Sequence, residues 1–136
     1  MLKLLTQEEK ELLLKDLCAR LPYDVIVKIS HRVVDGKTGK VIKEECHDKT
    51  LSLWNEDLLH KAISNIKPYL RPMSSMTEDE KKEYELLANH CIVTSIGFIH
   101  LETASLIDWL NKKMFDYHGL IPMGLAFEAP EGMYKQ

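Results

Sequence analysis

The chain has 136 residues, the size of one domain that buries roughly two-thirds of its unfolded surface. Hydrophobic residues at 45% and charged residues at 29% fall in the globular range and exclude disorder as the dominant state. A net charge of −3 argues against a general affinity for polyanions, and no apolar run approaches the ~20 residues of a membrane span. The opening MLKLLTQEEKELLL turns acidic too early for a signal peptide. Cys18, Cys46 and Cys91 are odd in number and widely spaced, which suits reduced thiols in a cytoplasm.

Thr6-Gln7-Glu8-Glu9 forms a capping box and predicts a helix to about Arg20, closed by Pro22. Leu14, Leu17, Cys18 and Leu21 make its expected buried stripe, with Cys18 as a small apolar core residue. From Asp24 the period becomes two. Val25, Val27, Ile29, His31 and Val33 share one face and alternate with Lys28, Ser30 and Arg32. Asp35-Gly36-Lys37-Thr38-Gly39 is turn chemistry and Val41 to Cys46 alternates again, which predicts a β-hairpin. Its Lys37, Lys40 and Lys43 resemble a nucleic-acid finger, but Asp35, Glu44 and Glu45 offset them. Lys49 to Trp54 reads as a third strand, with Leu51 and Leu53 on one face. Asn55 to Ala62 fits a short helix about as well as a strand.

Ile63 to Pro72 is extended or tightly turned, because each proline pushes its predecessor out of the α region. With Met73 to Met76 it reads as a hinge inside a single domain spanning 1–136, between a β-rich part (22–70) and a helical part (77–129). Thr77 and Glu80 form a second capping box, with acidic residues at the positive end of the helix dipole. Tyr84, Leu87, Ala88 and Cys91 make the stripe of that helix. Ile92 to Leu101 is β-branched and aromatic, and is expected to be a strand apolar on both faces. Thr103, Leu106, Ile107, Leu110 and Met114 recur at helical spacing with Trp109 beside them, and Gly119 is placed to stop that helix or reverse the chain. Gly124 to Tyr134 reads as extended and loosely held.

The fold class that follows is α+β. It has an N-terminal helix, a small antiparallel sheet of about three to five strands with an SH3-like curl, two further helices and an extended C-terminal tail.

Cys46-His47 and His90-Cys91 supply ligands of the kind zinc takes, but adjacent residues diverge on strands and helices alike, and no C-x₂-C pair fixes two ligands on one side. No metal, no cofactor and no catalytic residue is therefore assigned. Asp116 and His118 alternate within FDYHG and offer an oriented imidazole, without a nucleophile beside it. The feature with functional content is the apolar surplus near the C-terminus. Trp109, Phe115, Tyr117, Phe127, Met133 and Tyr134 are of types enriched in interface cores, and they form the candidate interaction surface for a protein partner or a second copy. Phe127, Met133 and Tyr134 follow proline- and glycine-marked chain and are the best candidates for an exposed contact.

Three stretches carry a resemblance: KDLCARLPY, KPYLRPMSSMTEDEKKEYE and IDWLNKKMFDYHGLIPMGLAFEAPEGMY. They are similar to a set of small uncharacterised proteins of gut bacteria and their phages and mobile elements. The resemblance implies that arginine is common where this chain has His118, and it brings no activity, substrate or catalytic residue. The expectation is a cytoplasmic, non-enzymatic accessory or protein-interaction protein of a mobile element or phage. The alternative is a nucleic-acid-binding accessory that uses the Lys37–Lys43 hairpin.

Overall fold

The computed structural model describes residues 4–52, 63–93 and 99–134. Helix α1 (Gln7–Arg20) opens on the expected box: the Thr6 hydroxyl accepts from the Glu9 amide at 3.1 Å, and the Glu9 carboxylate accepts from the Thr6 amide at 3.0 Å. Its buried positions are Leu13, Asp16, Leu17 and Arg20, one residue back from the expected stripe, and Cys18 is exposed rather than in the core. A stripe chosen by hydropathy passes over Asp16 and Arg20. These two bury because they neutralise each other one turn apart.

Strands β1 (Ile26–Val34) and β2 (Val41–Thr50) form the antiparallel hairpin. Val25, Val27 and Ile29 face the core as the alternation requires, but His31 is exposed. The reason is length: strand β3 (Ile66–Leu70) pairs antiparallel with Val27 to Ile29 only, so among the described residues the far half of β1 has no third strand beside it. Lys49 and Thr50, expected to begin a third strand, instead end β2, and Leu51 is buried just beyond them. Leu53, Trp54 and the stretch Asn55 to Ala62 lie outside the described residues.

The segment expected as a hinge is a 3₁₀ turn (Ile63–Asn65) running into β3, which occupies an interior place in the sheet between β1 and a short fourth strand. Proline geometry is extended, and extended chain can enter a sheet as readily as leave one. Strand β4 (Phe127–Glu128) runs parallel to β3, with Tyr69 opposite Phe127, so the sheet is mixed rather than antiparallel throughout.

Helices α2 (Glu78–Val93) and α3 (Ile99–Lys112) complete the α+β arrangement. The strand expected over Ile92 to Leu101 is replaced at both ends by helix: Ile92 and Val93 close α2, and Ile99 to Leu101 open α3. A short apolar run does not by itself distinguish a strand from a helix terminus. Residues 94–98 lie outside the described part. Nor is α3 stopped by Gly119. The chain turns at Met114, left-handed at φ 64°, with Phe115 N–H bonded to Leu110 O at 3.0 Å and Met114 N–H to Asn111 O at 3.1 Å. Glycine is usual at this position, and the strain is tolerated here because it drives the Met114 side chain into the core.

That core lies between α1 and one face of the sheet. Leu13, Leu17 and Leu21 meet Val25, Val27, Ile29, Ile66 and Leu70, and Met114, Leu120 and Leu125 close the cluster. The tail is tied to the same layer. Beyond Val27↔Pro68 the β1–β3 ladder opens, and the Tyr134 hydroxyl fills the gap. It accepts from Ile26 N–H at 2.9 Å and donates to Tyr69 O at 2.7 Å.

Burial pushes the Tyr134 hydroxyl up to about 12, from 10.0. The unfolded chain therefore loses this proton first, so the stability it contributes is complete below pH 10 and drains away as pH rises through 12. Tyr134→Phe leaves the two backbone groups unmet and is expected to cost about 1–3 kcal/mol at neutral pH. The variant should also lose part of the alkaline fall in stability. Urea titrations of both proteins across that range check it, and coincident curves would show that the hydroxyl braces nothing.

Candidate functional site

A fully buried ion pair and a part-buried one hold the C-terminal aromatic region, and both are invisible to hydropathy. Asp16 and Arg20 are each 0% exposed. Asp16 accepts from Arg20 Nε at 2.7 Å and contacts His118 Nδ1 at 2.8 Å, and Arg20 also donates to Phe115 O at 2.7 Å. The Arg20 guanidinium lies 5.3 Å from the centroid of the Tyr117 ring, and its Nη1 has no hydrogen-bond partner. Here Asp16 orients the His118 imidazole. Asp116, the expected partner, instead accepts from the amides of Leu120 at 2.7 Å and Ile121 at 2.9 Å and caps the turn after α3. A carboxylate two residues from an imidazole finds backbone donors closer to hand.

Arg71 makes the second pair. Its guanidinium grips Glu80 at 2.8 and 2.7 Å and lies 4.3 Å from the Phe115 ring centroid. Its backbone bonds Met114 O and the Asp116 amide. Glu80 is also the reciprocal partner of the Thr77 capping box, as its spacing predicts. Arg71 beside it holds the Glu80 carboxyl down at about 2, far below 4.5, against the opposing cost of burial.

These anchors account for most of the residues expected at an interaction surface. Phe115 is fully buried, stacked on Trp109 with ring centroids 5.6 Å apart, and Trp109 donates to Glu83 at 2.9 Å. Tyr117 bonds Asn111 and covers Arg20. Tyr134 is inside the sheet seam and Met133 sits half-buried in the turn before it. Phe127 alone of the six is classed as exposed, at 37%, with the ammonium groups of Lys28 and Lys67 at 5.2 and 5.0 Å from its ring centroid.

The apolar surface that sequence reasoning passed over is the hairpin tip. Val34, Val41 and Ile42 are 52%, 50% and 64% exposed. The register slips between Val33 and Val34, so Val34 faces Val41 and Ile42 is left over as a bulge. Asp35 closes the turn, its amide bonded to Lys40 O and its carboxylate accepting from Lys37 N–H at 2.9 Å. Behind the tip the charges are paired, across the strands by Arg32 with Glu44 at 3.8 Å and His31 with Glu45 at 3.1 Å, and along β2 by Lys43 with Glu45 at 2.8 Å. The signal was present in the sequence as three apolar residues flanking a turn. Reading them as members of an alternating face hid that no other described element covers that face.

Of the suggested metal ligands, Cys46 contacts Ser30 and His47 stacks edge-on to His31, so the neighbours point to opposite faces of β2. The side chains of His90 and Cys91 lie outside the described part. No group of three or more potential metal ligands occurs among the described residues, and no described helix is long and apolar enough to cross a membrane. No protein family, curated protein or solved structure matches this chain.

Asp16→Ala leaves a buried, uncompensated guanidinium and is expected to destabilise by roughly 3–5 kcal/mol. Adding Arg20→Met should recover a large part of that loss. Denaturant titration of the two variants checks this, and a strictly additive double variant would show that the pair acts as two independent side chains. Glu80→Gln should cost about 3 kcal/mol at neutral pH, by linkage to the depressed carboxyl. Because the unfolded carboxyl takes its proton first, the wild-type advantage is complete above pH 4.5 and vanishes as pH falls toward 2. Melting curves that differ equally at both ends of that range would contradict the linkage.

Proposed function

We propose that this chain is a non-enzymatic interaction protein that engages a protein partner through the tip of its β1–β2 hairpin. The observation that carries the reading is the exposed triad Val34, Val41 and Ile42 on an arm that projects past the last residue paired with β3. An isolated two-stranded ribbon is marginal in water, and apolar side chains at its end gain from a partner that covers them. The paired charges along the arm support a protein groove over a nucleic acid, because Arg32 and Lys43 are already balanced by glutamates. Cys18 and Cys46 are not joined in a disulfide, which suits a reducing cytoplasm, and the resemblance of three stretches to phage and mobile-element proteins suits an accessory role there.

The test is capture from a bacterial host lysate by the full chain and by a Val34→Asp, Ile42→Asp variant, with melting curves to confirm that both fold. Loss of one defined protein by the variant is expected, since two buried apolar anchors contribute several-fold each to affinity. Retention of the same partner overturns the reading. So does recovery of nucleic acid that depends on Lys37 and Lys40 instead of Ile42.

A further inference from the structure

β2 is the end strand on its side of the sheet, and among the described residues no strand pairs with its outer edge. Which of its backbone groups face outward follows from its inner neighbour. The Ile26 amide and carbonyl turn toward β3, where the Tyr134 hydroxyl meets both, while Leu51 N–H donates to Val25 O at 2.8 Å. Strand backbones alternate with a period of two. Val27, Ile29, His31 and Val33 therefore turn their amides and carbonyls to β2, and their partners Lys49, His47, Glu45 and Lys43 turn theirs to β1. Glu44, Cys46 and Asp48 are left with theirs directed outward, on a strand whose side chains are exposed apart from half-buried Glu45. Such an edge can take a further strand.

We infer that a second copy of this chain pairs its β2 antiparallel against this edge, about a two-fold axis at Glu44. The inference rests on the arm being a protein-binding element and names its partner. A two-fold axis normal to a sheet keeps every residue on its own face, so the axis falls at a residue position, and each choice of centre fixes all the cross-strand pairs. Centred on Glu44, Lys43 lies opposite Glu45 of the second copy and Lys40 opposite its Asp48, each twice by symmetry, and Ile42 lies opposite its Cys46. Lys43 already bonds its own Glu45, so two copies close a ring of alternating charge. Asp48 accepts from the Tyr69 hydroxyl through Oδ1, and a carboxylate accepts from several donors. The one like pair is Glu44 on Glu44, and each is already held by Arg32 of its own hairpin.

The other centres do worse. Those at Lys43, Glu45 and Cys46 each oppose like charges and supply no lysine–carboxylate pair. A centre at Ile42 pairs Lys40 with Glu44 and then runs into the turn, and one at His47 pairs Glu45 with Lys49 but leaves Val41 and Ile42 uncovered. Charges that keep an edge single repel a copy of themselves. Here their order attracts one, and it does so in the register that covers the exposed Val41 and Ile42.

Sedimentation equilibrium of the full chain is expected to show a monomer–dimer equilibrium. Lys43→Glu should weaken it roughly tenfold, and adding Glu45→Lys should restore it. Glu44→Gln removes the like pair and should tighten it several-fold. Melting curves check that each variant folds. The register is read by Ile42→Cys: along one strand that position lies ~13 Å from Cys46, too far for a disulfide, whereas across the axis the two are opposite. Exchange with oxidised glutathione should join two copies through positions 42 and 46, releasing two reduced glutathiones per bond, and peptide mass spectrometry identifies the link. A chain monomeric up to millimolar concentration overturns the inference. So does a dimer indifferent to Lys43→Glu, or an oxidised Ile42→Cys chain without that link. A monomer that still captures a host protein through its arm overturns this inference alone and leaves the protein-partner reading in place.

Discussion

The buried contact between Asp16 and Arg20 is the constraint on which the rest of the architecture depends. A guanidinium removed from water needs its charge met, and here the charge partner is near in sequence while the Phe115 carbonyl that takes a second donor comes from a distant part of the chain. Asp16 sits one turn back on α1, while the Phe115 carbonyl and the Tyr117 ring lie beyond α3. Meeting those needs fixes where the end of α3 rests against α1. The left-handed Met114 that precedes Phe115 is tolerated for the same reason, since only that turn delivers the Phe115 carbonyl to Arg20 and Met114 itself to the core.

Arg71 repeats the logic on the other side of Phe115. Its guanidinium lies over the ring and clamps Glu80 at the start of α2, while its backbone extends β3 alongside residues 114 to 116. Phe115 is thereby held between Trp109 and a cation, with a second cation on its carbonyl. The three stretches that carry the sequence resemblance meet at this point: Asp16 and Arg20 come from the first, Arg71 and Glu80 from the second, and Trp109 to His118 from the third. The aromatic density around Phe115 packs against the buried Arg20 and the part-buried Arg71.

Phe115 is fully buried and Trp109, Tyr117, Met133 and Tyr134 are half-buried, while at the opposite end of the sheet the hairpin tip presents exposed apolar side chains. β3 is five residues long and β2 is ten, so the hairpin outruns its support. Among the described residues nothing covers the apolar tip that this mismatch leaves. The tail braces the supported half: β4 places Phe127 beside Tyr69, and Tyr134 closes the seam between β1 and β3.

The sequence by itself determined what depends on near neighbours along the chain. Both capping boxes, the hairpin with its turn, the extended backbone around Pro68 and the α+β class rest on spacings of a few residues, where local geometry leaves few choices. Other features were decided only by tertiary structure, because their energies come from groups far apart in sequence. Asp16 and Arg20 are buried because Phe115 and His118 arrive to satisfy them, which turns the inner face of α1 by one residue. Ile92 to Leu101 joins helices at both ends because α2 and α3 pack on each other through Tyr84 and Trp109. Tyr134 belongs to the sheet because a ladder that ends at Pro68 leaves an amide and a carbonyl without partners, a vacancy that no local pattern in the tail encodes.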